Sequence, residues 1–360
     1  MIEDFSELIK IYAVVINKTD IKTELVRLKP FLSSYPRLPP IIDCNKRYFN
    51  FNIETSGLNN KILICVDSST LEESRTIFLR LNWNYFTYKE ILSRLIPVDV
   101  PCSFETIGGI LHLNLNDSQM EYKKIIGEVL LKKIPNVDVV ITKVGTINNT
   151  FRFFECEVLA GTGSLEVIHK EVGLLYFINY EKVYWNSRLQ NERSELVKLL
   201  RAGERVVDIF CGAGAFSIPA LAKGCEVWCN DLNPEAIICL KKSLSLNKLE
   251  EKNIFIYNLD AKHFMEEIVK DYKWNKNKYT HYILNLPEYS LDYLKYLKDM
   301  SLDGMVHCYF FCKNSEDVEE YVYQKIGSRI GYVRVVRAVS PSKKMYKLNL
   351  SINELKNFLI

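Results

Sequence analysis

Between Gly203 and Glu235 the chain reads GERVVDIFCGAGAFSIPALAKGCEVWCNDLNPE, and the residue types follow the order of a nucleoside-cofactor site. An apolar run, Arg205 to Phe210, ends at Gly212-Ala213-Gly214. A helix-like run follows to Ala222, and a second apolar run, Cys225 to Cys229, delivers Asp231 just past its end. Glycines let the backbone pass close to a ligand, and a carboxylate at the tip of the second strand can accept both hydroxyls of a ribose. A dinucleotide site would add a third glycine, to seat a pyrophosphate on the helix N-terminus, where this chain has Ser217. The residue types alone leave three readings open: a nucleoside-bearing cofactor, a nicotinamide dinucleotide, and a structural glycine turn in an empty sheet.

Asp208 and Phe210, just before the glycines, complete an Asp-x-Phe-x-Gly-x-Gly pattern that resembles the first motif of class I S-adenosylmethionine methyltransferases. In those enzymes the loop wraps the methionine end of the cofactor. Seven apolar runs supply the strands: Arg205 to Ile209, Cys225 to Cys229, Asn253 to Tyr257, Thr280 to Leu284, Met305 to Phe311, Gly331 to Val336 and Tyr346 to Ser351. Only Arg337 to Met345, containing Pro341, separates the last two, too short for a helical crossover, so they should pair antiparallel. The resemblance implies an α/β fold: a Rossmann-like, seven-stranded, mostly parallel sheet with an antiparallel C-terminal hairpin. The fourth run ends in Asn285-Leu286-Pro287, where doubly wound sheets keep their chemistry. Methyltransferases acting on exocyclic amines carry two prolines and an aromatic there. This chain has one proline, then Glu288 and Tyr289, which disfavours such a target.

A wider set of segments resembles the archaeal and eukaryotic tRNA (guanine-37-N1)-methyltransferases. It comprises Tyr184-Trp185-Asn186-Ser187-Arg188-Leu189, Asn191-Glu192-Arg193, the glycine loop and Asn285-Leu286-Pro287. Upstream, Phe104 to Gly108, Phe151-Arg152-Phe153 and Glu157 to Gly161 match in order and approximate spacing, so the likeness runs from about Pro97 to the C-terminus. It implies methyl transfer from S-adenosylmethionine to N1 of guanosine 37 of tRNA, which is also the first step of wybutosine synthesis on tRNA-Phe. That chemistry removes the N1 proton while negative charge moves onto O6, so it calls for a base and a cationic or hydrogen-bonding partner. The resemblance assigns these to Glu192 and Arg152, with Asn285 holding the base or cofactor edge. Around the cofactor it implies Arg193, Asp208, Gly212, Gly214, Asp231, Leu232, Asp260, Ala261, Asn285 and Pro287.

By residue type alone, Glu192 is an ordinary acid in the first turn of a helix expected over Glu192 to Ala202, capped by Asn191, with Leu196, Leu199 and Leu200 on one face and Gly203 as stop. A helix N-terminus lowers a carboxylate pKa, whereas a useful base wants one nearer neutrality. Arg152 reads as a solvated strand residue, and Asp260 serves equally as a helix cap. Three rival functions are weighed: an aminocarboxypropyl transferase of the wybutosine pathway, a nicotinamide oxidoreductase, and a non-catalytic RNA-binding protein with a vestigial sheet. Asn285-Leu286-Pro287, Ser217 and the joint presence of Asp231, Glu192 and Arg152 argue against them in turn.

The 360 residues, 48% of them apolar, can bury more than one core. Three parts are expected: residues 1–95, with a possible contact to the tRNA body; a small α/β unit over 96–180 that supplies Arg152; and the methyltransferase domain over 181–360. No apolar run approaches the roughly 18 residues of a membrane span, and the N-terminus resembles neither a signal nor a presequence, so cytoplasm and nucleus are the expected locations, with the mitochondrial matrix left open; a monomer is expected because no coiled coil or swapped segment is evident. Ten cysteines form no Cys-x-x-Cys pair and five histidines no cluster, so no metal is expected. From Glu320 to Glu354 no acid intervenes, while Lys325, Arg329, Arg334, Arg337, Lys343, Lys344 and Lys347 are basic, which leaves two equal readings of this hairpin, a tRNA contact and a solvated basic edge on an outer strand.

Overall fold

The computed structural model describes residues 5–33, 35–67, 71–144, 151, 155–271, 273–274, 277–297, 300, 303–327 and 332–358. Contacts divide the chain into two compact units: residues 1–102 with 115–135, and residues 103–114 with 136–360. The first unit is built on an antiparallel sheet of β1 (Glu7–Asn17), β2 (Ile41–Asp43), β3 (Phe51–Ile53), β4 (Lys61–Val66) and β5 (Ser74–Leu81), in the order β2-β4-β1-β5-β3. Helix α1 (Ile21–Leu28) buries Leu28 against Val14, Ile62 and Ile64. Helix α2 (Tyr88–Leu95) starts with a capping box in which Thr87 and Glu90 satisfy each other's backbone N–H groups.

The second unit opens with β6 (Phe104–Ile107) and β7 (Ile110–Leu113). The chain then forms α3 (Asp117–Met120) and α4 (Lys123–Lys133) before returning to β8 (Val139–Val144) and β9 (Glu155–Gly161). The four strands make one sheet in chain order, yet α4 belongs to the first unit and packs on α2, so the expected 96–180 segment does not cluster as a single body. Strands β10 (Glu166–Glu171) and β11 (Leu174–Asn179) form a two-stranded ribbon.

After α5 (Gln190–Leu199) come the parallel strands β12 (Arg205–Asp208), β13 (Glu226–Asn230), β14 (Ile254–Tyr257), β15 (Thr280–Leu284) and β16 (Gly304–Lys313). They alternate with α6 (Ser217–Ala222), α7 (Pro234–Leu246), α8 (Ala261–Ile268) and α9 (Ser290–Tyr293). Helix α10 (Val318–Ile326), strands β17 (Tyr332–Ser340) and β18 (Lys343–Ser351), and α11 (Ile352–Phe358) complete the chain. The sheet order is β14-β13-β12-β15-β16-β18-β17, with β18 antiparallel to both neighbours, so the expected sheet and hairpin are present. The hairpin is tighter than its sequence suggested, because β17 and β18 extend to meet at Pro341 and Ser342.

Polar side chains at the end of α7, Ser243 within it and Asn247 just after it, close the free edge of β11. Asn247 pairs with both the N–H (2.9 Å) and the carbonyl (2.6 Å) of Leu175, and Ser243 Oγ accepts from the Phe177 N–H at 2.9 Å. An amide and a hydroxyl thus replace a missing strand, which ties the ribbon to the methyltransferase sheet.

The glycine turn is held from inside. Asp208, fully buried at the end of β12, accepts a 2.7 Å hydrogen bond from Ser217 Oγ at the start of α6. Ser217 is needed there as a strap, which accounts for a serine where a dinucleotide site has glycine. Burial raises the Asp208 carboxyl to about 7, against the pull of Ser217. A folded-state pKa above the unfolded one contributes stability at low pH that is lost as pH rises through the folded value. Asp208→Asn, which keeps the shape and removes the ionisation, is therefore expected to gain stability relative to the parent as pH rises from 5 to 8. Urea denaturation across that range measures it, and a difference independent of pH would contradict it.

Candidate active site

A cavity of about 440 Å³ opens at the C-terminal ends of the parallel strands. Its floor is the turn after β12. Gly212 has φ +55° and Gly214 φ +88°, the left-handed region that glycine enters without strain. At Gly214 a Cβ would also lie 2.4 Å from Leu240 Cδ1, so the turn is pressed onto α7. The Gly212 N–H donates to Asp231 Oδ2 at 2.8 Å, and Asn233 N–H donates to Asp231 Oδ1 at 2.9 Å. These bonds aim the carboxylate along the cavity and leave each oxygen a lone pair for a ligand hydroxyl. Burial raises the Asp231 pKa, and the two N–H donors oppose that shift.

Gly212, Asp231, Leu232, Asp260, Ala261, Asn285 and Pro287 all line the cavity, although sequence scatters them over four strand ends. Asp260 caps α8 through a 2.9 Å bond from the Lys262 N–H and also lines the cavity, so the cap does not take the residue away from the wall. Phe210, Ala261 and Pro287 supply apolar wall suited to a planar ring. Asp208 is not on the wall. As the buried strap to Ser217, it shapes the loop without reaching the cavity, which replaces the contact role expected for it.

Arg193 lines the cavity but is buried in a fork with Glu171: Nε donates to Oε1 at 2.7 Å and Nη2 pairs with Oε2. Its Nη1 donates to the Asn186 carbonyl at 3.1 Å, and its guanidinium lies 5.0 Å from the Trp185 ring. Its donors are largely committed to holding Tyr184-Trp185-Asn186 and β10 together, so its first duty is structural.

Glu192, one residue earlier, faces another way and is not among the lining residues. Its carboxylate is buried on a row that crosses three strands. Tyr309 on β16 stands opposite Lys347 on β18, which stands opposite Arg334 on β17. Tyr309 OH donates to Oε1 at 2.8 Å, Lys347 Nζ lies 3.1 Å from the same oxygen, and Arg334 Nη2 pairs with Oε2. Burial alone would raise the Glu192 pKa, but Arg334, Lys347 and Tyr309 together hold it below the usual carboxylate range. Burial also lowers the Lys347 ammonium despite the carboxylate beside it, so desolvation governs the lysine and the surplus positive charge governs the acid.

Three sequence expectations change here. Helix α5 begins at Gln190, so Asn191 lies inside it and the preceding Leu189 provides no side-chain cap. Leu199 is 59% exposed, whereas Leu196 and Leu200 are buried. Lys347, expected on a solvent- or RNA-facing surface, is only 2% exposed and pairs with Glu192; strand alternation turns it inward with Met345, which no count of charges detects. Arg337 and Lys343 of the same basic stretch do line the cavity, Arg337 bonded to Asn186 Oδ1 at 3.4 Å. Arg329 lies outside the described residues, as does Arg152, while Phe151 beside the latter is on the cavity wall. Tyr309 carried no signal in a sequence search, being one aromatic in a core strand.

Two family descriptions match the chain: "TRM5/TYW2 methyltransferase domain" over residues 167–332 and "TYW2 N-terminal domain" over 88–164. A tRNA (guanine(37)-N(1))-methyltransferase of Encephalitozoon cuniculi is 45% identical over 323 residues, covering 88% of this chain and 87% of that protein. The chain belongs to the TRM5/TYW2 methyltransferase family. The same name is carried by a Phytophthora infestans protein, 32% identical, with 97% of this chain and 91% of that one covered. Among solved structures, one titled as a complex of aTrm5 and tRNALeu superposes with a TM-score of 0.68 at 24% identity, over 95% of this chain and 99% of that one. The fold is therefore that of the TRM5/TYW2 enzymes.

In a TRM5/TYW2 enzyme built this way the Glu171–Arg193 fork carries the wall between α5 and the ribbon. Glu171→Gln leaves a buried guanidinium without its anion, and about 3 kcal/mol of stability should be lost. Urea unfolding of variant and parent measures this, and a loss under about 1 kcal/mol would show the fork to be dispensable.

Proposed function

We propose that this chain transfers the methyl group of S-adenosylmethionine to N1 of guanosine 37 of tRNA. The observation that carries the reading is the gathering of Gly212, Asp231, Asp260 and Asn285-Leu286-Pro287 around one cavity, in a chain whose relatives bear that activity as their name. The residues fit the cofactor. Asp231 meets the ribose hydroxyls, Asp260 the adenine amino group, and the turn at Gly212 and Ala213, which carries no side chain larger than a methyl group, accommodates the methionine end. When bound, the sulfonium supplies an electrophilic methyl group.

The protein's own part is positioning and proton transfer. Asn285, at the tip of β15, holds the edge of the guanine through its amide. Arg152 stabilises the charge that grows on O6, and Glu192 accepts the N1 proton. Such a base must reach a nucleotide removed from its stack, so the target guanosine is flipped out toward the mouth lined by Tyr184, Arg337 and Lys343, and Glu192, which in the free protein lies off the cavity wall under Arg334, has to be uncovered for the transfer. The protein acts as a monomer in this reading. The aminocarboxypropyl alternative uses the same cofactor and fold, and the product separates the two.

Labelled S-adenosylmethionine with an unmodified tRNA transcript carrying guanosine 37 is expected to yield 1-methylguanosine, and the same transcript with adenosine 37 is expected to yield none. Label in both, or a heavier aminocarboxypropyl product, would overturn the assignment. Glu192→Gln should slow methyl transfer by about 10² to 10⁴ while keeping cofactor affinity. Asp231→Ala should weaken cofactor binding first; the opposite pattern in equilibrium binding and single-turnover assays would reverse the two roles.

A further inference from the structure

The two oxygens of Glu192 are held differently. Oε1 is fixed by two partners with almost no access to solvent, Tyr309 OH at 2.8 Å and Lys347 Nζ at 3.1 Å, the lysine side chain only 2% exposed. Oε2 is covered by Arg334, whose side chain is 32% exposed on β17, the outermost strand of the sheet. One carboxylate thus faces two cations, and only the cation on Oε2 borders water. A carboxylate whose second oxygen is capped by a guanidinium cannot receive a proton there, and Glu192 is not on the cavity wall.

We infer that Arg334 is an exchangeable positioning residue for Glu192: it caps Oε2 in the free protein and passes to a phosphate of the substrate RNA in the complex. Lys347 and Tyr309 keep Oε1 in place throughout, so Oε2 becomes the open atom that takes the guanine N1 proton. This deepens the methyl-transfer reading and rests on Glu192 being its base. Guanidinium groups pair with carboxylate and phosphate through the same planar fork, so the exchange trades one charge-assisted pair for another. The other charged or titratable groups around the row remain in place: Lys347 on β18, Tyr309 and His307 on β16, His281 on β15 beside His307, Asp208 on β12, and Arg193 of α5, which is turned toward Glu171. With Arg334 gone, burial acts on Glu192 against one cation instead of two, so its proton affinity rises when RNA binds.

The test compares two pH profiles of methyl transfer on full-length protein with a tRNA transcript. Profiles of kcat/KM report the free enzyme, and single-turnover rates at saturating RNA report the complex. The parent's acid limb should lie at higher pH in the saturating profile than in kcat/KM. Arg334→Gln should bring the kcat/KM limb up to the saturating one, raise KM for RNA, and lower the slope of log affinity against log salt by about one. Arg334→Lys should restore part of the separation, and unchanged S-adenosylmethionine affinity in both variants shows that the site is folded. Coincident limbs in the parent, an unchanged separation in Arg334→Gln, or an unchanged salt slope would each overturn the exchange. Glu192→Gln run alongside keeps the questions apart: if it transfers methyl at the parental rate, the base assignment fails; if it is inactive and the limbs still coincide in the parent, only the exchange fails.

Discussion

The ion pair between Glu192 and Lys347, both almost wholly buried, is the constraint on which the rest of the site depends. A lone charge in that position would be costly, so α5 and β18 must meet in one register for either residue to be tolerated. Because Lys347 stands directly between Tyr309 and Arg334, the pair also fixes how β16, β18 and β17 line up at the antiparallel end of the sheet. Arg193, the next residue on α5, then falls on the cavity side and forks with Glu171, while Leu196 and Leu200 pack into the core below. One helix thus connects three things: the closing hairpin, the β10–β11 ribbon and the ligand cavity.

The cofactor half is built by shorter-range means. Strand, turn and helix follow one another in about twenty residues, and each polar contact in the turn stays local: Ser217 to Asp208, Gly212 to Asp231, Asn233 to Asp231. A loop secured this way needs little from distant parts of the chain. Glu192, by contrast, depends on residues 117 to 155 positions away in sequence. The two halves also have opposite electrostatics, with Asp208 and Asp231 raised by burial and Glu192 lowered by cations.

This division explains what could be read from the sequence. The seven strands, the glycine turn and the Asp231, Asp260 and Asn285 positions were legible because their signals are periodic or lie at strand ends. The surroundings of Glu192 were not, since they come from pairing of strands far apart in the chain. Lys347 illustrates the physical reason: it sits in an acid-free basic run that suggests solvent, and only the register of β18 against β16 turns it inward. Leu199 failed for a related reason, because a helix ending at that residue carries it round to the exposed side. In the N-terminal sheet the strands β2 and β3 are three residues each, too short to show alternation in sequence.

A double-mutant cycle on Glu192 and Lys347 tests the central claim most directly. The stabilities of Glu192→Gln, Lys347→Met and the double variant would be measured by urea unfolding at neutral pH. If the buried pair sets the register of α5 on the hairpin, Glu192→Gln strands the buried Lys347 ammonium, Lys347→Met leaves Glu192 with Arg334 and Tyr309 alone, and the double variant is less damaged than the sum of the two, with a coupling of about 1 to 3 kcal/mol. Additivity within about 0.5 kcal/mol would mean that the two charges do not depend on each other, and the account built on them would fail.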